Sequence, residues 1–196
     1  SFPIVNNYLT TQFPLIFSEI LYDDPSQNDS LEFIEVMNVN PQAVVMGGLR
    51  ITGSIEFQFP EYELLTEKRV IVARYPEVIE RIFRPSCPVF GWNSGTLGDT
   101  GGHLEIWNTA MIVDTMSYSN TSPWPTNANG TGHSITLCVE PVDDADPASW
   151  FLSTQADWTA VYNSDTIYAT LCNLGCRTVG IEDSEMITKL RVYANP

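Results

Sequence analysis

The sequence predicts an all-β protein that folds as an antiparallel β-sandwich with one short helix. About ten short segments have β-type composition, and turns rich in Gly, Pro, Asn and Asp separate them. Only one segment places its apolar residues at helical spacing, which argues against alternating βα units. The 196 residues suffice for one sizeable core, or for one domain with a tail.

The first half of the chain alternates strand-type runs with turns. Residues 1–14 contain Pro3 and Pro14 without periodicity and predict an extended arm. The next two strands, joined by the polar loop 23–30, are expected to form a hairpin. Strands are predicted here at 15–22, 31–38, 43–46, 49–52, 55–59 and 70–73.

The predicted helix is PEVIERIF, residues 76–83. Its apolar residues recur at helical spacing, Pro76 suits a first helical turn, and Pro85 ends the pattern. A second, single helical turn is expected after Asp146, which stands as an N-cap before Pro147.

A β-hairpin is predicted within residues 91–125, around which the rest of the chain is expected to fold. A glycine-rich bend leads into a strand at 104–107, the turn 108–110 reverses it, and a second strand covers 111–118 until Pro123 and Pro125. Further strands are expected at 133–139 and 166–171.

Composition limits the classes of partner. The 9 Lys and Arg against 24 Asp and Glu give a formal charge of −15, which repels phosphate backbones and anionic membranes, so nucleic acid is not an expected partner. No run of about 18 apolar residues predicts a membrane span. The chain opens at Ser1-Phe2-Pro3 without a leader, which fits either a removed signal peptide or none.

The four cysteines are Cys87, Cys138, Cys172 and Cys176, and in an oxidising compartment they allow three connectivities. The pair Cys172 and Cys176 lacks the second Cys or His pair of a structural zinc site. A local Cys172–Cys176 disulfide is the favoured prediction, with two free buried thiols as the alternative.

Strand alternation places Glu19 with Leu15, Phe17 and Leu21 on one face, and Glu35 with Leu31, Phe33 and Met37. A hairpin centred near Gln27 brings Glu19 opposite Glu35. Three outcomes are open: a structural cluster with Arg50 or Arg69, a shared proton, or a bound cation. The structural cluster is favoured, since two acids offer too few oxygens for Ca²⁺ without Asp114.

Asp143, Asp144 and Asp146 crowd one loop and are further weak Ca²⁺ candidates. The run lacks the glycine and the terminal Glu of an EF-hand loop, so turn formation and helix capping explain these residues better. No cofactor is predicted, and Ca²⁺ is kept as the alternative.

Aromatic and catalytic signals are weak. Trp92, Trp124 and Trp150 offer an aromatic surface for sugars, although tryptophan in a sandwich more often fills the core. His103 and His133 belong to no metal spacing, and no G-x-S-x-G elbow or P-loop occurs. The sequence therefore predicts no enzyme and no catalytic residue.

Several stretches, in order and spacing, resemble the lamin-tail domain. They cover about residues 15–155 and read LIFSEILYD, LEFIEVMN, IEFQFPEY, RVIVARYP and GWNSGTLGDTGGHLEIWN with IVDTMSYSNTSPWP. The Trp124-Pro125 exit and DADPASW are similar to the bacterial exported branch. The resemblance implies an immunoglobulin-like sandwich without known catalysis, often appended to exported hydrolases or surface proteins for attachment.

The C-terminal stretch 179–196, VGIEDSEMITKLRVYANP, is similar to the start of a type IX secretion sorting domain, with a linker or a last strand as the alternatives. Residues 156–178 are expected to be an extension packed on, or continuing, the sandwich.

The predicted function is a non-catalytic binding or tethering module of an exported, secreted or outer-membrane-attached protein, with a protein or a cell-surface polysaccharide as partner. The alternatives are a carboxylate-based, glycosidase-like hydrolase domain, or a structural spacer beside a catalytic domain.

Overall fold

The structure, a computed structural model, describes residues 15–26, 29–137, 144–154 and 158–173. The predictions for the arm 1–14, for the segment 179–196 and for Cys138, Cys176 and Asp143 lie outside these residues. Strands make up 45% of the described part, which confirms the all-β prediction.

Two sheets form the sandwich. The first sheet consists of β1 (Leu15–Leu21), β2 (Phe33–Asn38), β7 (Arg69–Ala73), β8 (Val89–Gly91), β12 (Ile135–Leu137) and β13 (Trp150–Leu152). Its strands lie in the order β13, β12, β1, β2, β7, β8. The second sheet consists of β4 (Arg50–Gly53), β5 (Ile55–Gln58), β9 (Ser94–Gly95), β10 (Gly101–Trp107) and β11 (Ile112–Ser119), in the order β11, β10, β4, β5, β9.

Within the described part of the chain, two small hairpins and three helical segments accompany the two sheets. The hairpins pair β3 (Val44–Val45) with β6 (Glu63–Leu64), and β14 (Trp158–Tyr162) with β15 (Asp165–Ala169). The helical segments are α1 (Pro76–Phe83) and the 3-10 turns Thr126–Ala128 and Pro147–Ser149.

The predicted helix and cap are confirmed. Helix α1 covers the predicted residues with Pro76 in its first turn, and it ends at Arg84 in the left-handed region at φ 49°. The Asp146 side chain accepts a hydrogen bond from the Ala148 N–H at 2.9 Å, so it caps the second 3-10 turn.

One strand pair departs from the antiparallel prediction. Strand β8 runs parallel to β7, with Ile71 opposite Val89 and Ala73 opposite Gly91. Parallel neighbours need a crossover connection, and α1 supplies it between these two strands.

The main core lies between the two sheets. Buried side chains of both sheets meet there and exclude water, which is the dominant stabilising term for such a fold. Its members include Phe17, Ile34, Ile51, Phe57, Leu104, Met116 and Trp124.

A second apolar cluster covers the other face of the first sheet. Ile79 and Phe83 of α1, together with Ile167 and Ala169 of β15, pack there against the sheet residues Leu21, Phe33 and Ile71. The sheet is therefore buried on both faces, as the fully buried pattern of β7 shows.

A bulge in β1 corrects the predicted alternation of that strand. Phe17 lies opposite Val36 and Glu19 lies opposite Glu35, so Ser18 is an extra residue. Leu15 and Phe17 consequently face the main core, whereas Leu21 faces the second cluster. The prediction that Leu15 and Phe17 share one face with Glu19 is wrong, because the bulge inverts the strand after Phe17, whereas Leu21 does lie on the Glu19 face.

The predicted Cys172–Cys176 disulfide is also wrong. Cys172 is bonded to Cys87, 85 residues away, with their Cα atoms 5.6 Å apart. The segment after α1 and the segment after β15 meet at the second apolar cluster, where Cys87 and Cys172 both pack. The fold therefore brings Cys172 close to Cys87, which is distant in the sequence.

Removal of this disulfide is expected to destabilise the protein. The bond joins two residues that are 85 positions apart and so restricts the unfolded chain. The double variant Cys87→Ser/Cys172→Ser should therefore lose roughly 2–5 kcal/mol of unfolding free energy, as measured by equilibrium urea denaturation. Wild-type protein reduced with dithiothreitol is the control, and its unfolding free energy should fall by the same amount. Alkylation of both cysteines before any reduction would contradict the assignment.

Candidate functional site

An exposed polar face lies on the outside of the second sheet. Alternate residues of β10 point outward, and β4 and β11 add side chains at matching register, with Trp107 opposite Arg50 and His103 opposite Ser117. We call this surface the outer polar face. It consists of Arg50, Thr52, His103, Glu105, Trp107 and Ser117.

Glu105 is the centre of the hydrogen-bond network on the outer polar face. Its Oε2 accepts from Trp107 Nε1 at 2.6 Å and from Thr52 Oγ1 at 3.3 Å, while its Oε1 lies 3.2 Å from His103 Nε2. Hydrogen bonds from Trp107 and then His103 lower the pKa of Glu105, so it is ionised at neutral pH.

A serine, a histidine and a glutamate form a line on this face. Because an ionised carboxylate only accepts, His103 donates to Glu105 through Nε2. In the tautomer that carries its proton on Nε2, Nδ1 accepts from the Ser117 hydroxyl, 2.7 Å away. This order is that of a serine hydrolase triad. Here, however, it lies on the open surface of paired strands, with the His103 side chain 49% exposed.

Trp107 and Arg50 complete the face. The Arg50 guanidinium lies over the Trp107 ring, 5.2 Å from its centroid, a favourable cation–π geometry. The face thus combines an aromatic ring, a fixed anion, a cation and hydroxyl groups, which together can bind a polar ligand by stacking and by charge-assisted hydrogen bonds.

Glu19 and Glu35 are not at a surface. They lie opposite each other in the β1–β2 ladder, as predicted, and have 0% and 1% exposure. Glu19 Oε1 accepts from Thr170 N–H at 2.7 Å and from Ser134 Oγ, and its Oε2 accepts from Thr170 Oγ1 at 2.6 Å. Glu35 accepts from Ser18 Oγ at 2.7 Å and from Cys172 N–H at 2.6 Å.

The favoured structural cluster with a basic partner is confirmed for Arg69. Its Nε lies 3.1 Å from Glu35 Oε1, an ion pair, although the N–H direction is not that of a hydrogen bond. Arg50, the other predicted partner, stacks on Trp107 instead. Both acids therefore bind the chain segment that follows β15, and neither is open to a substrate.

Burial dominates the titration of this pair. Desolvation and then the charge of Glu19 raise the pKa of Glu35 to about 8, against the lowering effect of Arg69. Desolvation likewise raises the pKa of Glu19. Burial therefore favours the neutral form of these two carboxyl groups, and the Arg69 guanidinium opposes this effect only in part.

The aspartate candidates divide into two structural roles. Asp114 Oδ2 accepts from the Phe17 N–H at 2.9 Å and so joins the two sheets. Desolvation, then the charge of Asp144, raises the pKa of Asp114, which shows that these two predicted residues lie together. Asp146 is the helix cap described above.

The aromatic surface predicted from Trp92, Trp124 and Trp150 is wrong for two of its members. Trp124 and Trp150 are 8% and 3% exposed and contact each other with ring centroids 5.8 Å apart. Their size and apolar area place them in the core. Trp92 is partly buried and donates to the Gly95 carbonyl at 3.2 Å.

Two groups of three side chains in the described residues could in principle hold a metal ion. One comprises Glu35, Cys87 and Cys172, but a disulfide removes both thiolates. The other comprises Asp29 and Glu32, from the connection between β1 and β2, and Asp99, from the turn before β10. Of the residues in these two groups, only Glu35 was among the metal candidates predicted from the sequence.

Comparison with models of known families finds no match to the chain, and no curated protein sequence matches it. Among the described residues, no helix combines the length and the apolar character needed to cross a membrane.

Sequence reasoning missed the outer polar face. The signal was present as the alternation His103, Glu105, Trp107, in which polar and aromatic residues occupy one side of a strand while Leu104 and Ile106 occupy the other. What the sequence did not show is the register that adds Arg50, Thr52 and Ser117.

The buried acid pair predicts a pH-dependent stability. The pKa of Glu35 is raised from 4.5 in the unfolded chain to about 8 in the folded protein. The stability that this difference contributes is therefore fully present below about pH 4.5 and is lost as the pH rises through about 8. Relative to Glu35→Gln, the unfolding free energy of the wild type should therefore fall by up to about 1.4 kcal/mol per pH unit in this window.

Urea denaturation at a series of pH values measures this difference. Glu56→Gln removes an exposed carboxyl of β5 and is the matched control, which should retain the wild-type pH dependence. A wild-type stability that rises with pH relative to Glu35→Gln would contradict the assignment.

Proposed function

We propose that this protein is a non-catalytic binding or tethering module of the lamin-tail type, acting outside the cytoplasm on a cell-surface polysaccharide. The outer polar face would be its binding surface. The resemblance of the strand motifs to the lamin-tail domain supports this proposal, as does the two-sheet sandwich in which those motifs lie.

The disulfide supports the proposed compartment. Cys87 and Cys172 are bonded across the second apolar cluster, and structural disulfides persist mainly in oxidising compartments such as the periplasm or the cell surface. The net charge of −15 argues against a nucleic-acid partner.

The outer polar face carries the proposal. Its polar groups are already oriented by hydrogen bonds to one another, so little side-chain entropy is lost when a ligand binds. Sugars present both apolar C–H faces and hydroxyl groups, which match an aromatic ring beside a carboxylate, an imidazole and a guanidinium.

The second candidate function is hydrolysis, and one observation favours it: the line of Ser117, His103 and Glu105. In this reading Ser117 is the nucleophile, His103 the base and Glu105 the group that orients the imidazole. This replaces the carboxylate pair Glu19 and Glu35 as the hydrolytic candidate, because those acids are fully buried.

Binding of the full chain to an array of bacterial and plant polysaccharides tests the proposal. We expect Trp107→Ala to weaken retention at least about tenfold, because stacking is lost together with the donor that holds Glu105. Phe151→Ala is the matched control, since Phe151 is an aromatic residue of the first sheet that is 49% exposed. Equal retention of Trp107→Ala and the wild type would show that the outer polar face is not the binding surface.

Hydrolytic assays separate the two candidates. Release of nitrophenol from aryl esters or aryl glycosides that is lost in Ser117→Ala and in Glu105→Gln would establish an enzyme in place of a binding module. We expect no release above the level of these variants.

A further inference from the structure

Three carboxyl groups converge at one end of the sandwich. Asp29, Glu32 and Asp99 each place one carboxylate oxygen within 4.8 Å of the other two. Asp29 and Glu32 belong to the connection between β1 and β2 in the first sheet, whereas Asp99 belongs to the turn before β10 in the second. The cluster therefore spans both sheets.

Hydrogen bonds within the protein hold residues 24, 26, 31 and 32 of the β1–β2 connection in place. Asp24 accepts from Ser26 N–H at 2.6 Å through Oδ1 and from Leu31 N–H at 2.7 Å through Oδ2. The Glu32 carbonyl accepts from Arg74 N–H at 3.0 Å, which continues the β2–β7 ladder. Glu32 is thus positioned without the help of a ligand.

The turn that carries Asp99 is equally fixed. Gly101 N–H donates to the Gly98 carbonyl at 3.0 Å, and Gly98 N–H donates to the Tyr118 hydroxyl at 2.8 Å. The turn lies on the Tyr118 side chain, which is itself buried in the main core. The cluster is therefore preorganised from both sheets.

Glu32 is the residue that points to a ligand. It is 0% exposed, and its Oε1 has no hydrogen-bond donor among the described residues. Such an atom is costly, because burial removes the hydration of the carboxylate, and the contacts with the Leu97 N–H and Arg74 replace only part of it. Burial and then the charge of Asp29 raise the pKa of Glu32 to about 8, although the nearby Leu97 N–H and Arg74 lower it.

Arg74 neutralises only part of the cluster. Its Nη1 lies 2.8 Å from Asp29 Oδ2 and 3.4 Å from Glu32 Oε2, so one guanidinium serves one oxygen of each acid. With all three carboxyl groups ionised, one guanidinium leaves a formal charge of −2, which one divalent cation would balance.

We propose that Asp29, Glu32 and Asp99 bind one Ca²⁺ ion that joins the two sheets. Oxygens on one Ca²⁺ lie 2.3–2.6 Å from it and hence no more than about 5 Å apart, which the 4.8 Å limit of this cluster meets. Mg²⁺ requires shorter, near-octahedral contacts, and the all-oxygen donor set does not suit Zn²⁺. Water would complete the coordination, since Asp99 is exposed.

Asp23 lies beside the cluster but has another partner. With its amide oriented to satisfy its neighbours, Asn129 donates to Asp23 Oδ2 at 3.0 Å and to the Asp99 carbonyl at 3.2 Å. Asp23 therefore adds negative charge near the ion without serving as a ligand.

Calorimetric titration of the EDTA-treated full chain with CaCl₂ tests the site. We expect one ion per chain with a Kd of about 10⁻⁴–10⁻³ M, the range of extracellular modules. Asp99→Asn alters an exposed ligand without disturbing the core, and it should weaken binding at least tenfold. Glu32→Gln should do the same, and Glu80→Gln, an exposed acid of α1, should bind like the wild type.

Thermal unfolding supplies an independent readout. CaCl₂ should raise the melting temperature of the wild type and of Glu80→Gln, but not that of Asp99→Asn. The absence of any heat of binding at about 10 mM CaCl₂, tenfold above the weakest expected Kd, would overturn the proposal. Unchanged Ca²⁺ binding in Asp99→Asn or in Glu32→Gln would also overturn it. So would Mg²⁺ binding that is as tight as Ca²⁺ binding. None of these results depends on polysaccharide binding.

Discussion

The rest of the structure depends on the two buried carboxyl groups of Glu19 and Glu35. Each lies where β1 and β2 face the second apolar cluster, and each accepts a backbone N–H from the segment after β15. Those backbone donors would otherwise be buried without a partner. The acids and the strands β14 and β15 therefore require each other: the extension covers the acids, and the acids satisfy its backbone.

The sequence predicted most of the sandwich because local signals agreed with tertiary packing. The helix PEVIERIF, the Asp146 cap and the pairing of Glu19 with Glu35 follow from spacing alone. The face of Leu15 and Phe17 did not follow, because a one-residue bulge at Ser18 depends on partners across the sheet. Short strands such as Ser94–Gly95 have too few residues to show a period.

The functional surfaces were less accessible to sequence reasoning than the fold. Trp124 and Trp150 have the composition of a binding surface, yet only packing decides that they fill the core. Asp29, Glu32 and Asp99 come from two sheets, and the sequence holds no spacing that joins them. The disulfide partner of Cys172 was missed for the same reason, since a separation of 85 residues is invisible to local pattern.

The Cys87–Cys172 bond also determines how the domain would carry a mechanical load. Tension applied to the chain beyond residue 173 reaches Cys172 first and passes through a covalent bond to Cys87, behind α1. The segment between the two cysteines, which contains the whole second-sheet hairpin β10–β11, lies outside this path. A pull from the C-terminal side would thus leave the β10–β11 part of the outer polar face unstretched, so a module held by its C-terminal end could keep His103, Glu105, Trp107 and Ser117 in place under force.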